Sequence, residues 1–176
     1  ERYGLYLKQV EKGKAKMNVQ AVEMYEVFHN PTVAAQAQFQ EIIKLVQSWI
    51  PEGVNFLPIV DTSSSMTSWM NVVYNDKKPT KFHPMDIAIG IGIALSKGNK
   101  GTFKDAMFNF DERPTLHYFP DNNFQRLYNN VKNMNWGGNT NLLAVFDTLL
   151  TTARNNHLKS EDLPNVLIVL SDMQFD

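Results

Sequence analysis

Five residues of this chain have the types to hold a hard cation together: Asp61, Ser63 and Ser65 in one short loop, and Thr140 and Asp172 far along the sequence. The segment Asp61-Thr62-Ser63-Ser64-Ser65 offers one carboxylate and two hydroxyls on alternating residues. Alternation in an extended turn can point all three oxygens at one centre. An oxygen-only donor set suits Mg²⁺ first, and Ca²⁺ or Mn²⁺ next. Taken alone the motif is weak, because Asp and Ser are also ordinary loop and cap residues. Its context strengthens it. Thr140 follows the Gly137-Gly138 turn ahead of a helical pattern and can bring another hydroxyl to the same rim. Asp172 stands at the end of an apolar run and adds a second carboxylate.

The elements that must position these residues follow from hydrophobic patterning. Val54 to Val60 is a short apolar run leading straight into Asp61, the mark of a strand buried on both faces. Val166-Leu167-Ile168-Val169-Leu170 reads as a second such strand, ending at Ser171-Asp172. Between them, a loop holds Lys77, Lys78 and Pro79, and Pro84 opens a helix through about Ser96. Thr102 to Phe110 and Pro114 to Phe119 read as two strands joined at Asp111-Glu112-Arg113. A short helix is expected from Asn122 to Asn133, and Leu142, Val145, Phe146, Leu149, Leu150 and Ala153 mark an amphipathic one. Ahead of all this, residues 1 to about 50 read as helices. Val19, Val22, Met24, Tyr25 and Phe28 precede a break at Asn30-Pro31; Phe39, Ile42, Ile43, Val46 and Trp49 follow it. Pro51-Glu52-Gly53 ends that stretch. Alternating helices and continuous apolar strands predict an α/β fold with a doubly wound, mostly parallel, Rossmann-like sheet. Such sheets bind ligands beyond the carboxyl ends of their strands, where Asp61 and Asp172 both fall.

An Asp-x-Ser-x-Ser loop with a distant Thr and a distant Asp, in that order, resembles the metal-ion-dependent adhesion site of von Willebrand factor A-like domains. Pro84 to Gly90, Trp136 to Thr140 and Leu170 to Asp176 are similar to a branch of that family found in plants, fungi and giant viruses. A more distant similarity connects them to the A-like domain of the Ro ribonucleoprotein autoantigen. The resemblance covers about residues 54–176, and the N-terminal helices only loosely. It implies a helical segment at 1–53 followed by an A-like domain at 54–176. That domain would be C-terminally incomplete, since the family sheet continues for two more strands and helices. It also implies that Ser63, Ser65 and Thr140, or their waters, surround the ion, with Asp61 and Asp172 binding directly or through water. An incoming carboxylate, or a phosphate, would replace one water. The expected function is a divalent-metal-dependent module that captures an acidic protein ligand, and not an enzyme. Two other functions are weighed beside it. One is a ribonucleoprotein component whose N-terminal helices hold RNA. The other is a metal-assisted phosphate-ester hydrolase, for which a haloacid-dehalogenase-type pattern would want an Asp where Ser63 stands.

Composition narrows the field. A chain of 176 residues with 43% hydrophobic content can build one good-sized core, or a domain with a helical appendage. Seventeen Lys and Arg against 18 Asp and Glu give a net charge of −1, which creates no global attraction to nucleic acid or anionic membrane. The local patch of Lys8, Lys12, Lys14 and Lys16 is expected to be a solvated helix face. The absence of cysteine excludes disulfides, thiolate zinc sites and cysteine nucleophiles. No run of about 18 apolar residues marks a membrane span, and an intracellular, cytoplasmic location is expected. The chain opens on Glu1 and stops at Asp176, and is expected to be a piece of a longer protein. Gly90-x-Gly92 is read as close helix–sheet packing, not a dinucleotide loop, because Leu95 holds the third glycine position. His29, His83, His117 and His157 lack ligand spacing. Asp176 is read first as the cap of a following helix and second as a carboxylate just outside the ion's own ligands, and Trp69, Trp136 and Phe175 first as core residues and second as the rim of a binding surface.

Overall fold

The computed structural model describes residues 2–19, 24–29, 31–68, 70–72, 80–110, 113–132, 134 and 141–172. Six helices and six strands lie within them: α1 Arg2–Glu11, α2 Met24–His29, α3 Ala35–Trp49, β1 Phe56–Asp61, β2 Met70–Val72 and β3 Thr80–Phe82, then α4 Pro84–Gly98, β4 Ala106–Phe110, β5 Leu116–Tyr118, α5 Phe124–Lys132, α6 Leu142–Asn155 and β6 Val166–Leu170. Four strands form one sheet in the order β5-β4-β1-β6. β1 runs parallel to both β4 and β6, and β5 turns back antiparallel to β4. This is the expected α/β class, a mostly parallel sheet wound on both faces and preceded by helices.

Side-chain alternation along the strands divides the interior into two layers. Val60 of β1 and Met107 of β4 point to one face, where they meet Ala88, Ile89 and Ile93 of α4. Leu57, Ile59 and Phe108 point to the other face, where they meet Val145 and Leu149 of α6. Pro84 at the first turn fixes φ for the start of α4, and the Asp86 carboxylate accepts the His83 amide at 3.1 Å to close the cap. Gly92 lies where α4 crosses the sheet. A Cβ there would stand 2.6 Å from both Met107 Sδ and Val60 Cγ2, so the glycine is the packing residue expected from the sequence.

The N-terminal helices share the first of these layers. Phe39, Ile42, Ile43 and Val46 of α3 and Met24 and Val27 of α2 bury against α4 and against Phe124 and Leu127 of α5. Gln36 of α3 accepts the Phe124 amide at 2.7 Å, satisfying a first-turn donor of α5 that its own helix leaves unpaired. Lys8, Lys12, Lys14 and Lys16 are all exposed, although only Lys8 lies on a helix.

Several expectations need correcting. Val166–Leu170 is a strand, but not one buried on both faces: Val166 and Val169 are 42% and 39% exposed, because β6 is an edge of the described sheet. Thr102 to Asp105 is a turn instead of strand, and Asp105 takes a left-handed φ of 64° as it leads into β4. The loop after the serine motif contains a two-stranded antiparallel ribbon, β2 with β3. Trp49, at the last position of α3, has run past the helix contact and is exposed. Leu142, Phe146 and Leu150 of α6 are also exposed, so its buried face narrows to Val145, Leu149 and Ala153. Among the described residues no helix is long and apolar enough to cross a membrane.

Candidate metal centre

Asp61 is the last residue of β1 and is fully buried. It closes a strand whose neighbours on both sides run parallel to it, so its carboxylate stands at the carboxyl edge of the sheet. On one side of β1 the chain reaches β4 through α4, packed on one face, and on its other side it reaches β6 through α6, packed on the opposite face, which is where an open sheet forms its binding crevice. Beyond Asp61 the chain turns sharply. Oδ1 of Asp61 accepts the Ser63 amide at 2.9 Å, a two-residue side-chain turn characteristic of Asp. Buried Thr62 is tied back to the end of β4, its amide donating to the Phe110 carbonyl at 3.4 Å. Ser64–Thr67 then form a 3₁₀ turn, with Met66 sunk into the α4-side core as an anchor.

The folded loop turns Ser63 and Ser65 to the same side. Their hydroxyl oxygens lie 2.9 Å apart and share a hydrogen bond. That separation matches another geometry. Two oxygens at about 2.1 Å from an octahedral Mg²⁺ and at right angles to each other stand about 3.0 Å apart, and two at about 2.4 Å in the equator of a pentagonal-bipyramidal Ca²⁺ about 2.8 Å apart. The serine pair therefore has the spacing of an ordinary hydrogen bond and equally that of two adjacent ligands on a hard cation.

Asp172 lies two residues past β6 and is exposed. The β1–β6 register pairs Val60 with Leu170, so the next residues along, Asp61 and Ser171, lie side by side. The Ser171 hydroxyl donates to Asp61 Oδ2 at 2.5 Å. The structure thus brings together Asp61, Ser63 and Ser65, with Ser171 as a member the motif did not include, and sets Asp172 immediately beside Ser171. Thr140 lies outside the described residues, as do Trp69, Trp136, Phe175 and Asp176. Next to Thr140, Asn141 caps α6 by accepting the Ala144 amide at 3.0 Å.

Among the described residues the charge of the site is unbalanced. A buried carboxylate is stable only when paired or fully hydrogen-bonded. Asp61 receives one amide and one hydroxyl, and among the described residues no Lys, Arg or His forms an ion pair with it. Nor, among the described residues, do three His, Cys, Asp or Glu side chains gather as a metal cluster. A cation here would rest largely on hydroxyls, water and at most the two aspartates. Such a donor set is hard, oxygen-only and low in charge, and it leaves positions open.

Fold and site together define a class: an open α/β sheet with a buried carboxylate and paired hydroxyls at the carboxyl ends of its central strands. Residues 55–176, from the start of β1 onward, match the family described as Domain of unknown function (DUF7788), and the chain belongs to that family. It is also similar to "Uncharacterized protein L728" of Acanthamoeba polyphaga mimivirus, 27% identical over 181 aligned residues that cover 99% of this chain. That alignment takes in the N-terminal helices as well as the sheet. The chain spans about 29% of the length of this relative. No solved structure matches the chain.

Proposed function

We propose that this chain is a divalent-cation-dependent binding module of the von Willebrand factor A-like kind, which captures an acidic group on a protein partner through Mg²⁺. The observation that carries the proposal is the state of Asp61: wholly buried, fixed at both oxygens by neutral donors, and lacking a basic partner among the described residues. Beside it stand two hydroxyls at the spacing of adjacent ligands on a hard cation. Ser63 and Ser65 would touch the ion directly, and Asp61 and Asp172 would supply its negative charge, with Thr140 as a further hydroxyl. A bound Mg²⁺ would offer an exchangeable water position at which a partner's carboxylate can enter.

What the chain's own residues contribute is orientation and under-neutralisation. Serine hydroxyls bring no charge, so the site retains attraction for an anion once the cation is seated. No histidine, lysine or cysteine is bonded to either serine hydroxyl among the described residues, and capture needs no general base. The role proposed is binding of a ligand, which needs no proton transfer.

Calorimetric titration of Mg²⁺ into the wild-type chain and into Asp61→Asn tests this. The wild type should give a saturable heat that the variant lacks, while both unfold at similar denaturant concentrations. Equal heats from two folded proteins would refute the proposal.

A further inference from the structure

We propose that Ser171 is a positioning residue of this cation site, orienting the Asp61 carboxylate without neutralising it; the inference rests on the function proposed above. It starts from register. Parallel pairing of β1 with β6 sets Val60 beside Leu170, which brings the residue after each strand pair, Asp61 and Ser171, to the same level of the sheet. At that level the Ser171 hydroxyl donates to Asp61 Oδ2 at 2.5 Å.

Each oxygen of Asp61 is thereby held from a different side. Oδ1 is tied to the amide of its own loop at Ser63, and Oδ2 to a separate strand. Rotation about either side-chain torsion would break one of the two bonds, so the carboxylate plane is fixed. Neither bond uses the hydroxyls of Ser63 or Ser65, which are engaged with each other. The chemical type of the donor also matters. A lysine or arginine at position 171 would hold Asp61 equally well but would cancel its charge and repel a cation. A serine hydroxyl holds the carboxylate and leaves its charge intact. The dipeptide Ser171-Asp172 therefore does two jobs at one strand end, the first residue orienting Asp61 and the second bringing another carboxylate to the rim.

An isosteric pair of variants separates the hydroxyl from its shape: Ser171→Thr keeps the donor, and Ser171→Val has the same branched outline without it. Mg²⁺ alone is titrated by calorimetry into wild type and both variants at a temperature where thermal melts show all three folded. The rise in melting temperature on adding Mg²⁺ is measured in parallel. Removing a residue that orients a metal ligand typically weakens affinity about 10- to 100-fold. Ser171→Thr should stay close to wild type, while Ser171→Val should weaken binding by that range and lose most of the Mg²⁺-induced rise. If the two variants bind Mg²⁺ equally well, the role of Ser171 is overturned and the cation site stands. If the wild type binds no Mg²⁺, the site itself is overturned, and the role of Ser171 with it.

Discussion

Replacing Gly92 by alanine tests whether the contact of α4 with the sheet is as close as the structure has it. In a helix whose face is open, this substitution raises stability by about 1 kcal/mol, because alanine has the better helix propensity. Here the added methyl would fall 2.6 Å from Val60 Cγ2 and 2.6 Å from Met107 Sδ, both on residues with no exposure. Relaxed carbon contacts lie near 3.5–4.0 Å, so roughly 1 Å must be found on each side. Met107 can swing its flexible sulfur aside. Val60 cannot, since its side chain branches at Cβ and its backbone is paired on both edges of β1. Overpacking of this kind costs about 1–3 kcal/mol, which after the propensity gain of about 1 kcal/mol leaves a net loss of up to about 2 kcal/mol. For a chain of this size the melting temperature should fall by up to roughly 8 °C. Urea denaturation of wild type, Gly92→Ala, Val60→Ala and the double variant gives the complete cycle. Because Val60→Ala removes the atom that collides, the double variant should be more stable than the sum of the single losses by about 1 kcal/mol. A Gly92→Ala protein more stable than wild type by the full propensity gain of about 1 kcal/mol would refute the packing, and strict additivity would refute its assignment to Val60.

Two further predictions concern the opposite end of the sheet. Lys97 is buried, its ammonium 3.1 Å from Asp105 and also donating to the Phe119 carbonyl, and burial lowers its pKa from the ordinary 10.5 while Asp105 opposes the shift. Between that lowered value and 10.5 the unfolded chain binds more protons than the folded one, so stability contributed by this group rises with pH across the window. Lys97→Met should abolish this alkaline rise in urea midpoints, and at neutral pH should lose about 3–5 kcal/mol by stranding Asp105; a parallel alkaline profile in the variant would contradict it. Asn55 donates through Nδ2 to the carbonyls of Asp162 and Leu163 at 3.0 and 3.1 Å, seating the chain that leads into β6. Asn55→Ala should cost about 1–3 kcal/mol, and hydrogen exchange should speed up first in β6; uniform acceleration over the sheet would show that the seat is not local.

How much of this was legible in the sequence depended on how local the determining contact is. Leu57, Ile59 and Val60 look like a buried strand and are one, and Pro84 marks the start of α4 correctly. Val166–Leu170 has the same apolar composition, yet its exposure depends on its place in the sheet order, which composition does not encode. Phe103 is buried and suggested that a strand begins near Thr102, but its burial comes from a turn that ends in the left-handed Asp105. β2 and β3 have three residues each, too few for a period of two to emerge. The same distinction holds at the site. Asp61, Ser63 and Ser65 are gathered by a local turn and could be read directly. Ser171 could be found only by aligning the two apolar runs end to end, since the β1–β6 register is what sets it beside Asp61.

The two ends of the sheet also treat buried charge differently, and the contrast bears on function. At the amino end of β4, Lys97 and Asp105 answer each other, with the Asn122 side chain 3.3 Å from the ammonium as a further acceptor. Buried charges there are matched within the chain, as stability requires. At the carboxyl end of β1, Asp61 is buried more completely but receives only an amide and a hydroxyl. The fold is able to pair a buried carboxylate with a lysine, since it does so at Asp105. With only neutral donors on it among the described residues, Asp61 stands beside two converging hydroxyls at the place where an open α/β sheet receives ligands. In the function proposed above, a cation from solution would be the complement this carboxylate lacks, and a partner carboxylate would in turn be the complement of that cation.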